Sequence, residues 1–87
     1  MGEVRTQPEA QTIVRVIQHL GISMRQLARE MEVTMNSLWP KLGGDIVLRD
    51  KDIIAAAKAI KVPVKVLRLS GVDAIQYLLD REKAKAP

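Results

Sequence analysis

The chain has 87 residues, 47% of them hydrophobic and 28% charged, and this size predicts one small domain with a single modest core. It contains no cysteine and only one histidine, so its composition excludes disulfides, thiol catalysis and the usual zinc sites. Lysine and arginine outnumber aspartate and glutamate by 14 to 10, and the net charge of +4 favours polyanionic partners such as nucleic acids.

The low aromatic content indicates which class of nucleic acid the chain would bind, single-stranded or duplex. Phenylalanine is absent, and Trp39 and Tyr77 are the only aromatic residues. Proteins that bind single strands stack bases on several aromatic side chains, so duplex DNA is the favoured polyanion. No apolar run approaches the roughly 18 to 20 residues that cross a bilayer, and the polar start does not resemble a signal peptide. We therefore expect a cytoplasmic protein with no membrane role.

Two capped helices are predicted in the first third of the chain. Apolar residues recur at helical spacing from Ala10 to Leu20, and Gly21 ends that helix. Ser23 is placed to cap a second, shorter helix from about Met24 to Met31. The inward residues are predicted to be Ala10, Ile13, Val14, Ile17 and Leu20 in the first helix, and Met24, Leu27, Ala28 and Met31 in the second.

A third helix is predicted after Thr34, which is placed to cap it. Leu38 and Leu42 lie four residues apart and predict its buried seam. Trp39 is turned by about 100° from Leu38, which favours exposure, although a bundle without phenylalanine can also use a tryptophan in its core. Pro40 cannot donate to the carbonyl one turn earlier, so the helix either stops near Trp39 or kinks.

Three more helices are predicted in the second half of the chain. The fourth has Asp50 as its cap, and its inward residues are Ile53, Ile54, Ala57 and Ile60. Pro63 opens a short fifth helix, and Ser70 caps a sixth that ends near Ala84. The only β-like run, residues 46–48, lies between loop residues, so the prediction is all-α.

The second and third helices, two short capped helices joined by a tight turn, have helix-turn-helix spacing. Over Ala10 to Leu69 the sequence resembles the phage-repressor and Cro type of helix-turn-helix protein, the XRE family. The residues that carry the resemblance are Gly21-Ile22-Ser23, Leu27-Ala28, Val33-Thr34, Leu38, the segment Ala57-Lys58-Ala59-Ile60-Lys61-Val62-Pro63, and Leu67. The resemblance implies a lambda-repressor-like five-helix bundle with an additional C-terminal helix. The implied division is an N-terminal arm (1–8), a DNA-binding bundle (9–69), and a C-terminal helix and tail (70–87).

The resemblance also implies that the third helix lies in the major groove of double-stranded DNA. The base-reading candidates are Met35, Asn36, Ser37 and Trp39. Asn36 is the most informative, because its amide can pair bidentately with adenine. The phosphate candidates are Ser23, Arg25, Thr34, Lys41, Gly43, Gly44 and Arg49. Glu32 stands where the family usually has glycine, and this requires a left-handed backbone or an altered turn.

We therefore expect a sequence-specific transcriptional regulator, a repressor that occludes a promoter, with no catalysis, cofactor, metal or evident small-molecule substrate. The alternative is a protein-interaction adaptor or antirepressor whose modified third helix, with Trp39 and Pro40, docks on a partner protein. The last helix suggests a homodimer, with interface candidates Val72, Ile75, Leu78 and Leu79. Packing of this helix against its own bundle would bury its apolar stripe equally well.

Overall fold

The computed structural model of the chain describes residues 8–85, in which every regular element is a helix. The helices are α1 (Pro8–Leu20), α2 (Met24–Glu30), α3 (Met35–Gly43), α4 (Asp50–Ile60), α5 (Val64–Leu67) and α6 (Gly71–Lys85). The all-α prediction is confirmed for this part of the chain, and the β-like run at residues 46–48 is a loop. The predicted N-terminal arm lies outside the described residues, except for Pro8, which begins α1.

One apolar core draws on all six helices. Its largest completely buried apolar side chains are Ile13, Leu27, Leu38, Leu67, Leu78, Val16 and Val66. Burial of each such side chain stabilises the fold by about 1.5–3 kcal/mol. The most extensive packing is between α1 and α6, and Ala74 and Leu78 of α6 are completely buried there. The last helix therefore packs against its own bundle through these two residues.

A buried threonine connects α1 to the turn before α6. Thr12 is completely buried, and its hydroxyl oxygen lies 2.6 Å from the carbonyl of Leu69 and 2.9 Å from that of Pro8. A hydroxyl has one hydrogen to donate, so it bonds one of these two carbonyls at a time. This contact joins residues 57 positions apart, and no local pattern in the sequence indicates it.

The start of α4 differs from the prediction. Arg49 is the residue at the N-cap, and Asp50 is the first residue inside the helix. The carboxylate of Asp52 accepts the hydrogen bond from the Arg49 amide at 3.0 Å, because a side chain at the third helical position reaches back over the first turn. Ile54, predicted to face inward, is 41% exposed, since the helix turns it about 100° away from buried Ile53.

Asp52 also joins the end of α3 to the start of α4. The second oxygen of its buried carboxylate lies 3.0 Å from the ammonium of Lys41. Burial by itself raises the pKa of Asp52. The Arg49 amide, the bond to Lys41 and the charges of Lys41 and Lys51 outweigh burial, so the pKa lies below its usual value. A carboxyl with a depressed pKa stabilises the fold above its unfolded pKa of about 3.9, and the contribution is lost as pH falls through the folded pKa.

We expect Asp52→Asn to lower the free energy of unfolding at pH 7 by about 1–3 kcal/mol, because it weakens a buried, charge-assisted bond. Urea unfolding at several pH values measures this difference, which should shrink as the pH falls below about 4 and the wild-type carboxyl is protonated. The matched control is Asp50→Asn, whose carboxylate is exposed and pairs with Arg68 at the surface. It should have a much smaller effect. A loss for Asp52→Asn that is equal at all pH values would contradict the charged role of Asp52.

Candidate functional site

Two hydroxyl caps fix where α2 and α3 begin. The side-chain oxygen of Ser23 accepts a hydrogen bond from the Gln26 amide at 3.0 Å, and that of Thr34 accepts one from the Ser37 amide at 3.2 Å. Each oxygen replaces a carbonyl that the first turn of a helix lacks. Both caps are confirmed as predicted, and they leave four residues, 31–34, between the two helices.

The connection between these helices turns at Glu32, which has a φ of 59°. The Glu32 amide bonds the Arg29 carbonyl at 3.1 Å, and the Val33 amide bonds the Ala28 carbonyl at 3.0 Å. These bonds hold the turn tightly against the end of α2. Of the two conformations expected for Glu32, the structure has the left-handed one, which costs a residue with a side chain about 1–2 kcal/mol. The Glu32 side chain is exposed.

The rotation of α3 about its axis follows from two buried leucines. Leu38 and Leu42 are both in the core, as predicted, so the opposite face of α3 is turned to solvent. The exposed residues on that face are Asn36, Trp39 and Gly43, which recur at three- and four-residue spacing. Trp39 is 61% exposed, and the possibility that it closes the core is therefore wrong.

Pro40 neither stops α3 at Trp39 nor shortens it, because the helix continues to Gly43. The end of α3 is closed by the carbonyl of Pro40, which accepts hydrogen bonds from the amides of Asp45 at 2.8 Å and Ile46 at 3.2 Å. Gly44 adopts a φ of 96° and directs its own amide at the same carbonyl. The amide of Gly44, a predicted phosphate donor, is thus used inside the cap.

The four base-reading candidates differ in their exposure to solvent. Asn36 and Trp39 are three positions apart and share the exposed face of α3. Met35 and Ser37 are half-buried, and Met35 packs against the core. The structure therefore brings Asn36 and Trp39 together as the side chains that a ligand of α3 would meet first.

The phosphate candidates also separate into two groups. Lys41 is half-buried, and its ammonium lies 3.0 Å from the carboxylate of Asp52, so it already has an anionic partner within the fold. Arg25 on α2 and Arg49 before α4 are exposed. Ser23 and Thr34 are exposed at the helix starts, where their oxygens accept the cap bonds and each hydroxyl hydrogen can still be donated. Gly43 is the last residue of α3.

An open groove that the sequence did not indicate lies beside Trp39. One hollow of about 330 Å³ is lined by Val14, Gln18, Met24, Trp39, Leu42 and Gly43. A second hollow of about 490 Å³ is lined by Gln11, Val14, Arg15, Gln18 and Leu42. Because the two hollows share lining residues from α1 and α3, we treat them as one feature and call it the α1–α3 groove. Its walls come from three helices, so no single stretch of sequence carries its pattern.

The described range, residues 8–85, contains neither a metal-binding cluster nor a membrane span. No group of three histidine, cysteine, aspartate or glutamate side chains in this range is arranged to hold a metal ion. None of the helices in this range combines the length and the apolar character that a membrane span requires.

Comparison of the chain with protein-family models, with curated proteins and with solved structures finds no match.

We expect Glu32→Gly to raise the free energy of unfolding by about 1 kcal/mol, because glycine adopts a positive φ without the penalty of a Cβ atom. For a domain of this size, the gain corresponds to an increase in Tm of about 4–8 °C. Thermal unfolding measures it. Glu32→Gln is the control, since it keeps the left-handed side chain but removes the charge, and it should leave Tm nearly unchanged. If both variants raised Tm equally, the increase would come from removal of the charge and not from relief of the left-handed backbone.

Proposed function

We propose that this protein is a sequence-specific regulator of transcription, a repressor that binds double-stranded DNA through a helix-turn-helix within a lambda-repressor-like bundle. The observation that carries the proposal is the pair of capped helices, α2 and α3, joined by a tight turn, with the face of α3 opposite Leu38 and Leu42 exposed. A helix with its side chains is about 10–12 Å wide, and the major groove is about 12 Å wide. The nine residues of α3 give it a length of about 13 Å.

Asn36 is the principal base reader in this proposal. Its side chain is exposed on α3 and forms no hydrogen bond with any residue of the described range 8–85. An asparagine amide can pair with N6 and N7 of adenine, which discriminates against other bases by about 1–3 kcal/mol. Trp39, on the same face, adds apolar contact with thymine methyl groups or sugar edges. Ser37 and Met35 contribute less, because both are half-buried.

We assign phosphate binding to arginines on α2 and immediately before α4. Arg25 and Arg29 lie four positions apart on α2, and both are exposed. Like charges at this spacing repel each other slightly, and an anion between them removes the repulsion. Arg49 and the hydroxyl groups of Ser23 and Thr34 complete the set. The exposed carboxylate of Glu32 weakens phosphate binding at this surface, since its negative charge repels phosphate.

A homodimer completes the proposal. Two-fold DNA readers place their recognition helices about 34 Å apart, one turn of the duplex. On α6, Val72 is 73% exposed and Leu79 is 38% exposed, and their seven-residue spacing puts them on one face. Ile75 is half-buried beside them, whereas Leu78 is completely buried in the chain's own core. The interface we propose is therefore centred on Val72 and Leu79.

The exposure of Trp39 also favours the alternative, an adaptor or antirepressor that docks on a protein. A large aromatic side chain left in solvent often marks a surface that binds a protein. The two functions differ in their response to salt, because binding to phosphates releases counterions and an apolar protein contact does not.

Selection from a random pool of DNA duplexes, followed by titration of the enriched duplex at several salt concentrations, tests the DNA proposal. We expect Arg25→Ala to reduce the slope of log affinity against log salt by about one. Lys58→Ala removes an equal charge from an exposed site on α4, outside the helix-turn-helix, and should leave the slope unchanged. Failure to enrich any duplex, or binding that is insensitive to salt, would favour the adaptor.

We expect Asn36→Ala to weaken binding of the enriched duplex by about 1–3 kcal/mol and to relax the preference at one adenine. Its affinity for unrelated duplexes should stay nearly the same, because phosphate contacts dominate that affinity. Titration of the enriched duplex and of a shuffled duplex measures both effects. Equal losses on the two duplexes would mean that Asn36 does not read a base.

We expect Leu79→Asp to convert the dimer into a monomer, because it places a charge in the apolar interface. Light scattering of the purified chain measures the mass. Ile54→Asp is the matched control, since Ile54 is similarly exposed but lies on α4. A wild-type chain that is already monomeric would contradict the dimer, and an unchanged mass for Leu79→Asp would place the interface elsewhere.

A further inference from the structure

We propose that the α1–α3 groove binds a short amphipathic helix of another protein, which carries a carboxylate opposite Arg15, and that this helix competes with DNA for α3. The competition rests on the proposed DNA-binding function. The binding of the helix rests only on the groove.

The shape of the groove favours a helix over a compact small molecule. Its two hollows extend along α1 from Gln11 to Gln18. Seven residues of a helix rise by about 10 Å, which is the length of two helical turns. Small-molecule sites usually enclose most of their ligand, whereas this groove is an open trough bordered by α1, α2 and α3. An elongated trough of this length matches the way an amphipathic helix lies in a groove.

The walls of the groove supply apolar contacts on three sides. Leu42 lies buried at the α3 side, and Val14 and Met24 are half-buried. Trp39 stands at the edge and is mostly exposed. Methionine adapts to different apolar shapes, and tryptophan offers a large rigid surface. An incoming helix with large apolar residues at positions i, i+4 and i+7 would cover these walls on one face.

The positive charge of Arg15 favours a partner helix that carries a negative charge. Arg15 lines the second hollow, is exposed, and forms no ion pair with any residue between 8 and 85. Its stem crosses over Gly71, the first residue of α6, so closely that a Cβ atom there would meet the Arg15 Cδ. The absence of a side chain at Gly71 therefore leaves room for Arg15 to lie beside the groove. A guanidinium in this position fits a carboxylate of the partner, which it can bind with two hydrogen bonds.

The groove and the proposed DNA surface share one residue. Trp39 belongs both to the wall of the groove and to the exposed face of α3 that also carries Asn36. A helix lying in the groove covers Trp39 and adds the width of a second helix beside α3. Because the major groove is only about 12 Å wide, it cannot admit both helices together. Occupation of the groove therefore prevents α3 from entering DNA.

The fluorescence of Trp39 reports directly on the groove, because it is the only tryptophan in the sequence. The probes are alanine-based helical peptides of about 14 residues without tryptophan, with leucine at positions i, i+4 and i+7. One peptide carries glutamates beside the leucines, a second carries lysines at the same places, and a third has the glutamate sequence scrambled. We expect the glutamate peptide to shift the Trp39 emission to shorter wavelength in a saturable way. We expect the lysine peptide to bind at least tenfold more weakly.

Charge reversal at Arg15 tests the assignment of the partner. Arg15→Glu should exchange the preference, so that the lysine peptide binds more tightly than the glutamate peptide. Arg15→Gln should bind both peptides equally. This variant replaces Arg15→Glu in the test if circular dichroism shows that the charge reversal impairs folding. Lys58→Glu is the matched control, because it makes the same charge change at an exposed position of α4 that does not line the groove. It should keep the wild-type preference.

Each outcome decides one part of the proposal. No emission shift with any peptide, or a shift with the scrambled peptide alone, would overturn the binding of a helix. Equal affinity for the glutamate and lysine peptides would overturn the acidic partner. Displacement of the selected DNA duplex by the glutamate peptide would support competition, and a complex that holds both would overturn it. A chain that binds the peptide but no duplex would leave the groove standing and refute the proposed DNA-binding function instead.

Discussion

The exposed face of this protein depends on the burial of two leucines one turn apart in α3. Leu38 and Leu42 are held in the core, and each contributes about 1.5–3 kcal/mol that would be lost if α3 rotated about its axis. Rotation is therefore strongly opposed, and the opposite side of the helix is always presented to solvent. Asn36 and Trp39 lie on that side. The proposed DNA surface and the α1–α3 groove both follow from this single constraint.

The last turn of α3 is held by charge as well as by apolar packing. Lys41 and the Arg49 amide share the buried carboxylate of Asp52, so the end of α3 is tied to the start of α4. Removal of one partner from a buried pair is costly, because it leaves the other charge without compensation. The charge of Lys41 is thus committed to the fold. Arg25, Arg29 and Arg49 remain exposed near the helix-turn-helix, where an anionic partner can reach them.

Three departures from local preference occur within residues 32–40. Glu32 has a left-handed backbone, Pro40 lies inside a helix, and Trp39 is a large aromatic side chain in solvent. Among the described non-glycine residues, Lys61 is the only other one with a left-handed backbone, and it lies at the C-terminal end of α4. Residues that break local rules tend to collect where a protein binds its ligand. This clustering supports the choice of the α2–α3 region as the functional surface.

The sequence by itself determined the helices and most of their caps, because these depend on residues three or four positions apart. Ser23, Thr34 and Ser70 each accept a bond from an amide three residues later, so a short stretch of chain contains the whole interaction. Only the tertiary structure decided the rest. The partner of Lys41, the bond from Thr12 to Leu69 and the groove beside Trp39 depend on residues that meet only after the helices pack. Hydrophobic periodicity reports which face of a helix is buried, but it carries no information about which helix covers that face.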